Sequence, residues 1–310
     1  MNAVVEIDNL SKDYEVGFVR KRKVRALNGL SLTVNQGEIF GFLGANGAGK
    51  TTTLKLLMRL IFPTGGSARI LGHDIADVSM HSRIGYLPEN PYFYDYLTAI
   101  EFLNFCGQIF GSSKLDRNQR AEELLKRVRL DESKWNTQLR KFSKGMLQRV
   151  GLAQALVNDP EVVFLDEPMS GLDPIGRRQV RDLIAALKQE GKTVFMCSHI
   201  LSDIEILCDR IAILKRGRLS HVGYLNELQE SADRSQLEIV ATGTDVDNLK
   251  SRFDGLKQYE VNGTAGGVRI KVEDEKDVDL VLMSLRKAGA KLVSVQPLKQ
   301  SLEELFLDEQ

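Results

Sequence analysis

The stretch Glu38-Ile-Phe-Gly-Phe-Leu-Gly44-Ala-Asn-Gly-Ala-Gly-Lys50-Thr-Thr52 decides the fold. Its first half is nearly all apolar, as a strand covered on both faces of a parallel sheet must be. It runs into a Gly-rich loop and then a helical pattern, Thr51–Leu60, which Pro63, Gly65 and Gly66 stop. Strand, GxxxxGK[ST] loop and helix in that order form a phosphate-binding loop. Glycines at 44, 47 and 49 let backbone amides turn toward an anion, and the helix N-terminus adds partial positive charge. Gly44, Ala45, Asn46, Gly47, Ala48, Gly49, Lys50, Thr51 and Thr52 thus form the candidate phosphate cradle. In that pattern Lys50 reaches the β- and γ-phosphates and the Thr51 hydroxyl ligates Mg²⁺.

Outward from this loop, the first 230 residues alternate short β-rich runs with helical patterns, as α/β folds do. Val4–Leu10 and Leu27–Val34 read as partner strands, with Arg20, Lys21, Arg22, Lys23 and Arg25 as a basic turn between them, a solvated hairpin tip or, as the alternative, a membrane- or phosphate-facing one. From about 90 to 160 the pattern is helical. Thr98-Ala-Ile-Glu101 fits a capping box, Leu124, Leu125 and Val128 mark an amphipathic helix, and another spans Lys144–Val157. The sheet resumes at Glu161–Leu165, Thr193–Cys197 and Arg210–Leu214. Beyond residue 233 the order changes. Strand patterns at Leu237–Ala241, Tyr259–Asn262, Val268–Val272 and Ala290–Val295 enclose helical ones at Asp245–Phe253 and Asp277–Ala288, and an amphipathic turn, Ser301–Leu307, follows. The order βαββαβ fits a small ferredoxin-like α+β module. The expected domains are 1–230, with a helical subdomain at about 90–160, and an accessory domain at 233–310.

Glu161-Val-Val-Phe-Leu-Asp-Glu-Pro168 is an apolar strand ending in two acids. At a sheet's carboxyl edge Asp166 orients Mg²⁺, and Glu167 is placed to polarise an attacking water as general base. A phosphate-binding loop with such a strand still admits kinases, GTPases and helicases.

Phe142-Ser-Lys-Gly-Met-Leu-Gln-Arg149 narrows the choice. It resembles the signature motif of ATP-binding cassette (ABC) ATPases, whose common form is LSGGQ. Ser170-Gly-Leu-Asp173 resembles that family's D-loop, Ser198-His199 its switch histidine, and Ile84-Gly-Tyr-Leu-Pro-Glu89 stands where it has the Q-loop. Tyr14 resembles the aromatic that stacks on adenine, a plain packing tyrosine being the alternative. The resemblance covers about residues 2–230 and implies a P-loop NTPase cassette, with a mixed sheet core and a helical subdomain, that binds ATP and Mg²⁺ and hydrolyses ATP. Carried over by position, Ser143 and Gly145 touch the γ-phosphate held by a second ATP-binding subunit, and Asp173 links the two sites. His199 holds the γ-phosphate and helps Glu167 align water. Two departures stand out: Lys144 and Met146 replace Gly and Gln of the signature, and Glu89 replaces the usual glutamine, where it suits Mg²⁺ as a hard oxygen ligand. Both variants look like those of bacterial exporters with a separate permease. The aromatic run Pro91-Tyr-Phe-Tyr-Asp-Tyr-Leu97 stands where the family receives its permease's coupling helix; core packing is the other reading.

Composition limits the alternatives. The 310 residues carry 42 basic and 42 acidic side chains, so there is no basic excess for a nucleic-acid binder. No apolar run approaches the roughly 20 residues of a membrane span, the N-terminal segment is too acidic for a signal peptide, and the three scattered cysteines fit a reduced cytoplasm. The expected place is therefore cytoplasmic, peripheral on the inner membrane face through an integral membrane permease. The alternative is a non-transport ABC ATPase of translation or DNA maintenance. The former type carries two cassettes, whereas this chain has one P-loop. The latter carries long coiled coils or zinc-binding cysteine pairs, but Lys50–Asp166 holds neither, and only one cysteine, Cys106. The cargo is not written in this chain.

Overall fold

The computed structural model describes residues 2–17, 21–230, 237–252, 259–264, 266–272 and 275–297. The chain divides into two compact units, residues 1–225 and 226–310. In the first, β1 (Ala3–Val16) and β2 (Arg22–Asn35) pair antiparallel. β3 (Ile39–Leu43) leads into α1 (Lys50–Leu57), followed by β4 (Gly65–Ile70), β5 (His73–Asp74) and β6 (Ile84–Leu87). Three helices come next, α2 (Ala99–Ile109), α3 (Lys114–Arg127) and α4 (Lys144–Ala155). Then β7 (Val162–Asp166), α5 (Pro174–Gln189), β8 (Thr193–Ser198), α6 (Leu201–Leu207), β9 (Arg210–Lys215) and β10 (Arg218–Tyr224) complete the unit; α7 (Leu225–Glu230) follows.

Two sheets result, a four-stranded antiparallel one ordered β2-β1-β4-β5 and a six-stranded mixed one ordered β10-β9-β3-β8-β7-β6. In the latter β9, β3, β8, β7 and β6 are parallel and only β10 is reversed. β3, β7 and β8 are buried along their whole length, which is why their sequences are continuous apolar runs. Phe40, Phe195 and Phe164 stand in register on β3, β8 and β7. Phe195 lies 5.4 Å from the rings of Phe40 and Phe42 and 5.7 Å from Phe164, all fully buried. Tilted aromatic pairs at such spacing add about 0.5–1.5 kcal/mol each beyond their burial, so this row holds the central strands at fixed separation.

Helix starts follow their capping residues. Thr98 Oγ1 accepts from Glu101 N and Glu101 Oε2 accepts from Thr98 N, the expected capping box. Ser113, Ser143 and Asp173 cap α3, α4 and α5, with Pro174 in the first turn of α5. Two local expectations need correction. The helix after the Gly-rich loop ends at Leu57 rather than Leu60, because Arg59 takes a left-handed conformation (φ 52°) and Leu60 N–H closes back on Lys55 O at 2.8 Å. The basic segment is not all turn. Arg22–Arg25 lie in β2, where Arg25 pairs with Asp13 across the strands at 2.8 Å, and Lys21 beside them pairs with Glu15 at 3.0 Å. Opposite charges facing each other across two strands extend the ladder; Arg20 lies outside the described residues.

In the second unit β11 (Leu237–Thr242), α8 (Val246–Arg252), β12 (Glu260–Thr264), β13 (Gly267–Val272), α9 (Val278–Lys287) and β14 (Lys291–Pro297) form a sheet ordered β12-β13-β11-β14, antiparallel throughout. This is the ferredoxin-like arrangement. Its core joins Ile239, Val261, Val268 and Ile270 from the sheet to Leu249, Val281 and Leu285 from the helices. Ser301–Leu307 lies outside the described residues.

Candidate active site

Parallel strands end on the same side, so the carboxyl ends of β3, β8, β7 and β6 form one edge. The Gly-rich loop leaves β3 there, His199 follows β8, Asp166 and Glu167 end β7, and Glu89 follows β6. Register sets the depth: Phe42, Cys197 and Asp166 lie in one row, with Leu43 and Ser198 in the next. Residues 120 or more positions apart in the chain thus become neighbours through strand order alone.

A cleft of about 260 Å³ opens at this edge, lined by Ala26, Ala45, Asn46, Gly47, Gly49, Lys50, Thr51, Thr52, Glu89 and Glu167. Ala26, from β2, escaped the sequence reading because no motif marks it. The loop geometry requires glycine at position 49, where φ is 114° and a Cβ would stand 2.8 Å from Ala26 O. Gly44 is needed for a different reason: a Cβ there would meet Leu214 O at 2.7 Å. The helical hydrogen bonding of α1 begins with Thr53 N–H donating to Gly49 O at 2.9 Å, so the N–H groups of Lys50, Thr51 and Thr52 have no helical acceptor. They form the electropositive end that an anion needs. Gly44 and Ala48 shape the loop without lining the cleft.

Lys50 is buried. Its Nζ donates to Gly44 O at 2.6 Å and lies 3.6 Å from Glu167 Oε1. His199 Nδ1 lies 2.9 Å from the same oxygen. Lys50 Nζ is too distant and His199 Nδ1 is not aligned to donate, so Oε1 is buried without a hydrogen bond. Both carboxylate oxygens of Asp166 are also buried without one. Burial pushes the Asp166 pKa up to about 6, with the negative charges of Glu167 and Glu89 adding to it; the nearby Thr51 hydroxyl and Lys50 offset part of this. Buried carboxylates without partners are costly. Three acids facing one buried lysine suit a cation, and Asp166, Glu89 and the Thr51 hydroxyl supply the oxygen donors a hard ion such as Mg²⁺ prefers.

The folded-state pKa of Asp166 lies above the ordinary carboxylate value, so its burial penalty is absent in acid and grows as pH rises from about 4 to 6. Asp166→Asn should stabilise the nucleotide-free protein by about 1–2 kcal/mol at pH 7.5, a discount on about 1.4 kcal/mol per pKa unit. The gain should vanish near pH 4 in urea titrations, and a variant less stable than wild type at pH 7.5 would contradict this.

Other predicted site residues lie elsewhere. Ser143 and Gly145 sit at the N-terminus of α4 and Asp173 at that of α5; none of them lines the cleft. The Ser143 hydroxyl accepts from Met146 N at 3.3 Å, which leaves its O–H free to donate outward. Tyr14 is not in the cleft lining either; its ring faces Lys12 Nζ at 5.2 Å. The aromatic run splits by parity. Phe93 packs edge-on against Phe102 at 5.1 Å, whereas Tyr92, Tyr94 and Tyr96 are 98, 50 and 61% exposed, with Phe105 beside Tyr94.

Comparison with known proteins adds the following. The family model described as "ABC transporter" matches residues 27–170, and that of the ATP-binding protein DrrA1-3-like C-terminal domain matches residues 223–309. An uncharacterised ABC transporter ATP-binding protein of Synechocystis is 47% identical over 307 residues, covering 98% of this chain and 84% of the relative. The bacitracin transport ATP-binding protein BcrA of Bacillus licheniformis is 36% identical over 299 residues, 92% of this chain and 94% of BcrA. Among solved structures, the dimeric post-hydrolysis state of the ATP-binding cassette MJ0796, bound to ADP and phosphate, superposes with a TM-score of 0.66 at 28% identity, over 71% of this chain and 98% of MJ0796.

Proposed function

The chain belongs to the ATP-binding proteins of ABC transporters and is an ATPase, and we propose that it is the motor subunit of an exporter whose permease is a separate chain. The carrying observation is the two buried carboxylates, Asp166 and Glu167, at the sheet edge, with Glu167 Oε1 3.6 Å from Lys50 Nζ beside the Gly-rich loop. The amides of Gly47–Thr52 and Lys50 hold the phosphates. Glu89, Asp166 and Thr51 hold Mg²⁺. Such an ion takes one or two carboxylates and completes its shell with substrate phosphates and water. When bound, the ion supplies Lewis-acid polarisation of the phosphoryl oxygens.

In the hydrolytic step Glu167 accepts a proton from water as the water oxygen bonds to the γ-phosphorus. The bond from that phosphorus to the β–γ bridging oxygen breaks, and ADP keeps its electron pair. His199 orients Glu167 and the γ-phosphate, and Tyr14 contributes an adenine-stacking face. Two copies close head to tail, each cleft capped by Ser143 and Gly145 of the other, with Asp173 between the sites. Tyr92, Tyr94, Tyr96 and Phe105 form the apolar face for a permease helix. Among the described residues no helix is long and apolar enough to cross a membrane, so membrane attachment would come through that partner on the cytoplasmic face. Export is favoured by a relative from Mycobacterium tuberculosis, the fluoroquinolones export ATP-binding protein, which is 38% identical over 235 residues, 74% of this chain.

Pull-down of the tagged chain from detergent-solubilised native membranes tests the transporter reading: a stoichiometric multi-span membrane protein is expected, and ribosomal or DNA-bound partners without one would overturn it. Ser143→Arg tests the shared site. It should leave ATP binding to the isolated subunit within about threefold and reduce turnover at least ~100-fold, the range lost with a transition-state phosphate contact. Wild-type turnover in that variant would refute the shared site.

A further inference from the structure

The backbone that aims Glu167 is itself unusual. Glu167 occupies the left-handed region with φ 50°, where side-chain-bearing residues are disfavoured. Pro168 follows and is buried. Ser170 N–H closes the turn on Glu167 O at 3.0 Å. The Pro168 carbonyl also points inward, away from water, and its donor is a side chain: Gln148 Nε2 at 3.1 Å, which reaches Glu167 O as well at 3.5 Å. Gln148 is 2% exposed and lies on α4, about one and a half turns beyond Ser143. No other contact of similar kind joins this helix to the turn among the described residues' side-chain hydrogen bonds.

A buried amide spanning two carbonyls restricts where the turn can go, and through the turn it restricts the carboxylate. We propose that Gln148 is a positioning residue for Glu167: its amide holds the Glu167–Pro168 carbonyls so that the carboxylate stays beside His199 and Lys50. The same contact ties that carboxylate to the helix headed by Ser143, so a displacement of α4 is felt at Glu167. Gln148 does not line the cleft and acts only through Glu167. The proposal rests on the assignment of Glu167 as the base.

Three variants of the full chain test it, each assayed for ATP turnover, binding of a fluorescent ATP analogue and thermal unfolding. Gln148→Met keeps length and apolar volume but removes the donor. Gln148→His keeps a ring Nε2–H near the amide position. Gln148→Glu sets an acceptor against two carbonyls. The expected results are a 10–100-fold fall in kcat for Gln148→Met with KM for ATP and analogue affinity within threefold, a larger fall for Gln148→Glu, and recovery to within about fivefold of wild type for Gln148→His. A folded Gln148→Met variant with kcat within twofold of wild type would overturn the proposal. So would equal losses in the Met and His variants that track the loss of thermal stability, since that marks a merely structural role. Glu167→Gln serves as the control: if it is inactive while Gln148→Met is normal, only the positioning role fails, and if it turns over normally the base assignment fails and the proposal with it. Should Gln148→Glu not fold, the Met and His pair still decides the matter.

Discussion

Glu167→Gln is expected to bind ATP at least as tightly as wild type and to hydrolyse it ~100–10,000-fold more slowly. The amide has the carboxylate's shape, so the turn and its contacts persist, but it cannot take the proton of the attacking water, a role with that range of effect. The carboxylate is buried, 2.9 Å from His199 Nδ1 and 3.6 Å from Lys50 Nζ, with Oε1 free of hydrogen bonds. It is therefore close to groups that orient it. Removing its charge also relieves repulsion with Asp166 and with the phosphates, which is why affinity should hold or rise. Single-turnover phosphate release and equilibrium binding of a fluorescent analogue separate the two quantities. Turnover near the wild-type rate would remove Glu167 from the chemistry.

Lys50→Met is expected to fail one step earlier. Lys50 is 6% exposed and anchored by Gly44 O, so its ammonium is held where the loop amides converge and loses little conformational freedom on meeting a phosphate. Charge-assisted hydrogen bonds of this kind are worth about 1.5–3 kcal/mol. Their loss should weaken ATP binding ~10–100-fold and bring turnover to background. It also leaves Asp166, Glu167 and Glu89 without the buried cation that faces them, which adds to the repulsion an incoming triphosphate meets. Calorimetric titration of both variants should show opposite behaviour, retained affinity for Glu167→Gln and lost affinity for Lys50→Met. Affinity within threefold of wild type for the latter would contradict the phosphate role of the lysine.

What was legible in the sequence is what is contiguous. The phosphate loop is nine successive residues between a buried strand and a helix, and the Thr98–Glu101 box is four. Each carries its own backbone chemistry and depends little on distant chain. The α+β order of the second unit was legible for the same reason, since periodicity marks each element separately. Errors arose where partners decide. Helix α1 stops early because Arg59 accepts a left-handed conformation, and β2 runs on through a basic segment because Asp13 sits opposite Arg25. Gln148 carried no signal at all. A glutamine in mid-helix is ordinary, and its partners are two main-chain carbonyls about twenty residues onward whose orientation no residue type announces.

By itself, then, the sequence determined the ingredients: a loop able to wrap phosphates, two acids at a strand end, a histidine after another strand and a capping box at Thr98–Glu101. Local chemistry suffices for these because glycine conformations, caps and apolar runs act within a few residues. Only the tertiary structure decided that β8 lies between β3 and β7 and that Phe42, Cys197 and Asp166 share one row. Strand order and register come from hydrogen-bonded ladders and the Phe40–Phe195–Phe164 packing, which are long-range. They are what place Lys50, Glu167 and His199 within a few ångströms of one oxygen, and they leave Ser143 on a separate helix end, outside the cleft its own chain forms.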